Sequence, residues 1–180
     1  KTGAKVIGID PNAKYIEIAK ENSRPETKFI VGDIGKSDDL KKIPGGTADF
    51  VFMSDALLFY FVSPNIKTKP DIKKLFSDIR RILKHDGIFI SVEPHYIFWL
   101  LPWLGTKKNP FTILSEYNKK RNGVTATISQ LIQSYSKGGF TVNWMEELIP
   151  DKSFIKIDSR AYHFAKEFPL WQLFELKKRT

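Results

Sequence analysis

Two short apolar runs in this chain each end in an aspartate, and this repeated pattern constrains the fold more than any other feature. The first run, Val6–Ile9, stops at Asp10, and the second, in the segment KFIVGD, stops at Asp33. A short continuous apolar run bounded by turn residues is typical of a parallel strand that is buried on both faces. Helical periodicity follows Asp10, with Asn12 as the expected N-cap.

The alternation of strands and helices continues along the chain. A third apolar run, about Phe50–Met53, ends in Ser54 and Asp55, and an apolar stripe between Pro70 and Gly87 predicts the clearest helix, with its stop at that glycine. The segment IFISVE predicts a fourth strand, and a helix is expected from about Thr125 to the paired glycines of SKGGF.

The segments FTVNWMEEL and WQLFELK then read as the last two strands, with no convincing helix between them. This order indicates an α/β fold with a mostly parallel sheet flanked by helices. The final two strands are expected to pair antiparallel at one edge of the sheet.

The length of 180 residues, without internal repeats or a Gly/Ser linker, predicts a single domain over 1–180. Cysteine is absent, which excludes disulfides, zinc–thiolate sites and thiol nucleophiles, and we predict no metal site. The lack of cysteine suits a reducing compartment, and no secretory signal is visible at the start, so we expect a cytoplasmic protein.

The formal net charge of +9 permits an anionic partner such as nucleic acid, an acidic lipid surface or a phosphorylated substrate. The lysines are spread in pairs along the chain and form no dense block, which favours an ordinary solvated surface. The pairs are Lys41–Lys42, Lys73–Lys74, Lys107–Lys108, Lys119–Lys120 and Lys177–Lys178.

The strand ends carry the polar residues from which we infer a function. In open α/β sheets, ligands bind outside the carboxyl ends of the strands, where Asp10, Asp33 and the pair Ser54–Asp55 are expected to lie. One carboxylate there can accept hydrogen bonds from the two hydroxyls of a ribose, and a second can reach the exocyclic amine of an adenine. Together they describe an adenosine site.

The order of motifs from residue 4 to about residue 142 resembles a class I S-adenosylmethionine-dependent methyltransferase of the small-molecule, type 11 or 12 kind. The matching segments are VIGIDPN, FIVGDI, ADFVFMSDALLFYF, LFSDIRRILKHDGIFISVEP and LIQSYSKGGFTV. The resemblance implies a Rossmann-like fold, S-adenosylmethionine as cofactor and S-adenosylhomocysteine as product. It also implies methyl transfer to a small, apolar molecule by in-line displacement.

The resemblance further implies which residues bind the cofactor. In the family, the acid that maps to Asp10 holds the ribose, and the residues that map to Pro11 and Asn12 flank the adenine. The acid that maps to Asp33 holds the adenine amine.

The remaining cofactor contacts follow from the same mapping. The resemblance implies that Gly32 is also cofactor-binding, that the backbone of Ile34 lies beside the adenine ring, and that the carbonyl of Met53 or Ser54 accepts a hydrogen bond from the methionine amine. Each motif is weak alone, and their order makes the match specific.

The family's glycine-rich loop, of the form G-x-G-x-G after the first strand, is not found in this sequence. We therefore expect the first-strand region to be missing from the chain as given, which leaves its neighbouring strands unpaired and weakens cofactor binding.

His95, just after the fourth strand, and Asp55 are the candidates for a general base that takes a proton from the substrate. For His95 the alternative, which we favour, is a loop histidine with satisfied hydrogen bonds. Some members of the family need no base.

The segment around 95–124 is where this family inserts elements that cover the substrate. Its aromatic part, 96–108, is predicted to line an apolar pocket, to dock on a membrane surface beside its two lysines, or to cap the core. It is too short and too interrupted by proline to span a bilayer.

Three other functions stay open. A nucleic-acid methyltransferase agrees with the charge, but SDALLFYF lacks the Asn/Asp-Pro-Pro-Tyr/Phe pattern of enzymes that methylate base amines. An NAD-binding dehydrogenase also places an acid after its second strand, although the paired Asp33 and the LKHDG corner argue against it. A non-catalytic binding protein is the last alternative. The oligomeric state is not predicted.

Overall fold

A computed structural model of the chain describes residues 3–36, 38–61, 70–98 and 126–179. Within these ranges the strands are β1 (Ile7–Asp10), β2 (Lys28–Val31), β3 (Ala48–Ser54), β4 (Leu83–Pro94), β5 (Phe140–Leu148) and β6 (Trp171–Lys178). The helices are α1 (Ala13–Glu21), α2 (Leu58–Phe61), α3 (Ile72–Ile82), α4 (Ile128–Lys137) and α5 (Ser159–Glu167), with 3₁₀ helices at Asp39–Lys42 and Lys152–Lys156.

The described strands form two sheets. β1 and β2 pair in parallel, and the other sheet has the order β3–β4–β6–β5, in which β3 and β4 are parallel. β6 runs antiparallel to both β4 and β5. The predicted α/β architecture and the antiparallel pairing of the last two strands are confirmed, but the antiparallel strand β6 lies inside the sheet and β5 forms the edge.

Among the described residues, no ladder joins β1 to β3. The side chains of Phe50 and Phe52 on β3 are 65% and 68% exposed, and Ile7 on β1 is also exposed. The two sheets nevertheless share one core, because Ile9 and Ile30 pack against the same apolar cluster as Met53 and Val51.

Helix α3 ends earlier than the sequence predicts, at Ile82 instead of near Gly87. Its last carbonyls, of Arg81 and Ile82, accept hydrogen bonds from the backbone N–H groups of Gly46 and Thr47, at 2.9 Å each. The end of the helix is therefore set by a tertiary contact with the loop before β3. The predicted start is confirmed, because Asp71 caps the helix by accepting from the Lys73 N–H at 2.8 Å.

The sequence predicts no convincing helix between the last two strands. The structure has one there, α5, so this prediction is wrong. Asp158 caps α5 through a 2.8 Å hydrogen bond from the Ala161 N–H, and Ala161, Tyr162 and Ala165 form its buried face. The helix is short and carries few large apolar residues, so its periodicity is weak in the sequence.

The core lies where α3 and α4 cover the four-stranded sheet. Five aromatic rings meet there, with neighbouring ring centroids 5.3 to 6.4 Å apart. They belong to Phe76, Phe89, Tyr135, Phe140 and Phe174. This packing fixes β4 and β6, and with them the polar residues at their ends near the carboxyl end of β3.

Candidate functional site

Asp10 ends β1 in a local turn that keeps its carboxylate at the sheet edge. Its Oδ1 accepts a hydrogen bond from the Asn12 N–H at 2.7 Å, and the Asn12 side chain in turn accepts from the Lys14 N–H at 3.0 Å. These two turns stop the strand and start α1. Asp10 is only partly buried, and its Oδ2 has no hydrogen bond to any residue in the described ranges.

Asp33 lies two residues beyond the end of β2, next to the same edge. The Gly32 N–H donates to the Asp10 carbonyl at 3.1 Å, which continues the β1–β2 pairing past the end of the strand. Asp33 is half-exposed, and its Oδ2 lies 3.0 Å from Lys36 Nζ. The structure therefore brings Asp10 and Asp33 to one edge, as the sequence predicts.

The loop that carries Asp33 is restrained by close packing at Gly32 and by a hydrogen bond from Tyr60. A Cβ atom at Gly32 would lie 2.7 Å from the Asp39 Cβ, so only glycine fits there. The Tyr60 hydroxyl donates to the Ile34 carbonyl at 2.9 Å. Burial, with smaller contributions from Asp33 and Asp71, raises the pKa of Tyr60, so this donor stays protonated. Pro11 and Asn12 are exposed beside this loop.

A second group of polar residues lies at the end of β3. Met53 is buried, while Ser54 and Asp55 are exposed. Asp55 has a φ of 53°, the left-handed conformation, which aspartate tolerates better than most residues. Its N–H donates to the Val92 carbonyl at 2.9 Å, and its Oδ1 accepts from Trp171 Nε1 at 3.0 Å.

An apolar cavity of about 450 Å³ opens beside Asp55. Ser54, Asp55 and the indole N–H of Trp171 are the polar groups in its wall, and the remaining lining is mostly aliphatic. The apolar lining residues are Val92, Leu148, Ile149, Pro150, Phe154, Ala161, Ala165 and Leu170. A cavity of this size, apolar with a few polar groups, suits a small organic molecule.

Most residues of this cavity wall are not predicted from the sequence. The predicted apolar lining is 96–108, of which 99–108 lies outside the described residues. Most of the insertion predicted at 95–124 also lies outside them. The observed wall comes from β5, α5 and the segments that join them to β6. The only signal in the sequence is the pair Ala161 and Ala165, one helical turn apart.

His95 lies near this cavity but does not line it. Its backbone N–H donates to the Leu170 carbonyl at 2.7 Å, and its Nδ1 accepts from the Ile97 N–H at 3.2 Å. Its Nε2 lies 3.9 Å from Glu147 Oε1. These contacts give His95 a role in the loop, and its catalytic role stays a prediction.

Neither a metal centre nor a membrane segment is found within the described ranges. No group of three or more histidine or acidic side chains is arranged to hold a metal ion there. None of the helices in those ranges has the length and apolar character needed to cross a bilayer.

Comparison with known proteins identifies the family. The family described as "Methyltransferase domain" matches residues 1–91, half of the chain. The chain therefore belongs to this methyltransferase family, which confirms the class I, type 11 resemblance of its motifs.

A curated relative and two solved structures agree with this assignment. An uncharacterized methyltransferase of Synechocystis sp. is 27% identical over 103 residues, which cover 55% of this chain and 43% of the relative. The chain thus spans less than half of that relative's length.

The S-adenosylmethionine-dependent methyltransferase of Mesorhizobium loti superposes with a TM-score of 0.66 at 16% identity, covering 97% of this chain and 80% of its own. Geranyl diphosphate C-methyltransferase of Streptomyces coelicolor, solved with Mg²⁺, geranyl diphosphate and S-adenosylhomocysteine, gives a TM-score of 0.62 at 12% identity. That match covers 98% of this chain and 63% of the other. At such identities the match concerns the fold.

Proposed function

We propose that this protein transfers a methyl group from S-adenosylmethionine to a small apolar molecule. The observation that carries the proposal is the apolar cavity at the carboxyl ends of β3 and β4, beside Asp55. In sheets of this kind, the carboxyl ends of the strands form the ligand site.

The edge formed by β1 and β2 fits the adenosine half of the cofactor. Asp10 and Asp33 present carboxylate oxygens, which are acceptors for the ribose hydroxyls and the adenine amine. Pro11 and Asn12 would lie beside the adenine, and Gly32 and Ile34 form the opposite loop. The backbone of Met53 or Ser54 would accept from the methionine amine.

S-adenosylmethionine, when bound, supplies a methyl group attached to a positively charged sulfur. The chain's own contribution is to align the acceptor and exclude water. The cavity wall from Leu148 to Trp171 would bury the apolar body of the substrate. The Asp55 carboxylate would accept the proton that an O–H or N–H acceptor loses as its bond to the methyl carbon forms and the bond from that carbon to sulfur breaks.

The experiment is isothermal calorimetry on the protein with S-adenosylhomocysteine and, separately, with NAD. We expect binding of S-adenosylhomocysteine and no binding of NAD. Asp10→Ala should weaken S-adenosylhomocysteine binding at least about 10- to 100-fold, because the loss of even one hydrogen bond to a charged group costs about 1.5–3 kcal/mol.

Asp86→Ala is the matched control, because the Asp86 side chain is 96% exposed and its carboxylate lies 2.8 Å from Nδ1 of the neighbouring His85. It should leave the affinity unchanged. Equal affinity in Asp10→Ala and Asp86→Ala would refute the ribose assignment. Binding of NAD alone would indicate a dehydrogenase, and RNA binding that weakens steeply with salt would indicate a nucleic-acid enzyme.

A further inference from the structure

A buried carboxyl group lies directly behind the cavity wall, and the proposed function does not use it. Glu93 on β4 is 1% exposed. Its neighbour Val92 lines the cavity, and successive side chains of a strand point to opposite faces. Glu93 therefore lies on the other face of the sheet, the face that carries the buried Phe89 and Ser91.

The Glu93 carboxyl ties β4 to the loop that carries Asp55. Its Oε1 accepts a hydrogen bond from Ser91 Oγ at 2.8 Å. The backbone N–H groups of Leu57 and Leu58, just before and at the first residue of α2, face the same carboxyl and lower its pKa. Leu57 is only two residues from Asp55, and the Asp55 N–H donates to the carbonyl of Val92, next to Glu93, at 2.9 Å, so β4 restrains the position of Asp55 at the cavity.

The second oxygen of the same carboxyl faces an unusual neighbour. Glu93 is directly opposite Gln172 in the antiparallel β4–β6 ladder, and Gln172 is also 1% exposed. Glu93 Oε2, Gln172 Oε1 and the Tyr135 hydroxyl are all buried and have no hydrogen-bond partner among the described residues. Buried acceptors without a donor are costly, and a hydrogen on Oε2 would supply the donor for Glu93 and Gln172.

We propose that Glu93 is a positioning residue that holds the loop from Asp55 to Leu58 against the cavity, as a neutral acid whose proton is shared with Gln172. Gln172 is adjacent to Trp171, which donates to Asp55. The two faces of the sheet thus restrain the same loop. The effect of this restraint on methyl transfer rests on the proposed function. The contacts of Glu93 are independent of that function.

The electrostatic surroundings agree with a neutral acid. Burial, aided by the nearby charge of Asp55, raises the pKa of Glu93 to about 8, against the lowering effect of the bonds from Ser91, Leu57 and Leu58. Tyr135 on α4 is the other titratable group beside it, and burial raises its pKa as well, so it stays neutral. No cation among the described residues contributes to the shift at Glu93.

Infrared spectroscopy tests the protonation state directly. At neutral pH most carboxyls are ionised, so the carbonyl stretch of a protonated carboxyl stands out. We expect the wild-type protein to show this band at neutral pH and to lose it with a midpoint of about 8. Glu93→Gln should lack the band, and Glu146→Gln, at an exposed position on β5, should keep it.

The coupling to Asp55 is tested by the indole N–H resonance of Trp171, recorded by ¹⁵N NMR and assigned with Trp171→Phe. We expect this resonance to shift with the same midpoint in the wild type and in Glu146→Gln, and to lose that transition in Glu93→Gln. A transition that persists in Glu93→Gln, or a Trp171 resonance that does not change in the wild type, would overturn the proposal.

The wild-type infrared spectrum decides the matter even if Glu93→Gln does not fold. Absence of the band at neutral pH means that Glu93 is ionised, for example against a turned Gln172 amide, and this also overturns the proposal. Neither measurement needs a methyl donor or acceptor. A failure here therefore leaves the calorimetric test of the proposed function untouched, and the reverse is equally true.

Discussion

The two sheet edges that form the candidate site are built in different ways. At the β1–β2 edge, Asp10 and Asp33 have partners close by in the chain, among them Asn12, Lys36 and Asp39. At the β3–β4–β6 edge, Asp55 is bound by Trp171, which is 116 residues away. The side-chain contacts of the first edge are mostly local, with Tyr60 as a more distant support, whereas the second edge exists only once the whole sheet has assembled.

The two edges also differ in how far their polar side chains are buried. Asp10 and Asp33 keep part of their carboxylate surface accessible, which is what a polar ligand requires. Glu93 and Gln172, by contrast, are nearly inaccessible. Replacing Glu93 should therefore change the stability of the protein, whereas replacing Asp10 or Asp33 should mainly change ligand binding.

The largest expected effect is the pH dependence of stability that arises from Glu93. Because its pKa rises from 4.5 in the unfolded chain to about 8 in the folded protein, the folded state binds more protons between these values. The free energy of unfolding should then fall as the pH rises, by about 1.4 kcal/mol per pH unit, or about 5 kcal/mol over the window.

Urea denaturation at a series of pH values checks this prediction. The contribution is fully present below pH 4.5 and lost as the pH passes through about 8. Glu93→Gln removes it, so the difference between wild type and variant isolates Glu93 from all other groups. Parallel curves for the two proteins would contradict the prediction.

A smaller effect is expected at the β1–β2 edge from Gly35→Ala. Gly35 has a φ of 77°, and a Cβ atom there would clash with the Tyr60 hydroxyl that holds the Ile34 carbonyl. We expect a loss of about 3 kcal/mol in unfolding free energy, from backbone strain and overpacking together.

Gly46→Ala is the matched control for this loss. Its φ is 65°, but nothing lies within 4 Å of the added Cβ, so only backbone strain of about 1 kcal/mol remains. Equal losses in the two variants, measured by urea denaturation, would show that the contact with Tyr60 does not constrain the loop.

The smallest effect is expected from Trp171→Phe, which removes the hydrogen bond to Asp55 and keeps an aromatic ring beside Phe98. Since Asp55 is exposed, the loss should be about 1 kcal/mol. Trp144→Phe, at a position 57% exposed on β5, should change stability by less than about 0.5 kcal/mol. Equal losses of stability in the two variants, measured by thermal or urea unfolding, would show that the Trp171–Asp55 hydrogen bond does not stabilise the second edge.

Much of the fold could be predicted from the sequence, because the patterns that specify it lie within a few residues of one another. The apolar runs that end in Asp10 and Asp33, and the helix that begins after Asp71, depend on periodicity and capping within a few residues. The end of α3 could not be predicted in the same way, because the carbonyls of its last turn are bound by Gly46 and Thr47 from another part of the chain.

The sequence by itself therefore determined the family, the order of strands and helices, and the two aspartates of the β1–β2 edge. Only the tertiary structure decided that β6 lies between β4 and β5, that α5 closes one side of an apolar cavity, and that Glu93 faces Gln172. These features depend on which strands become neighbours in the sheet, and that choice is made by packing between residues far apart in the chain.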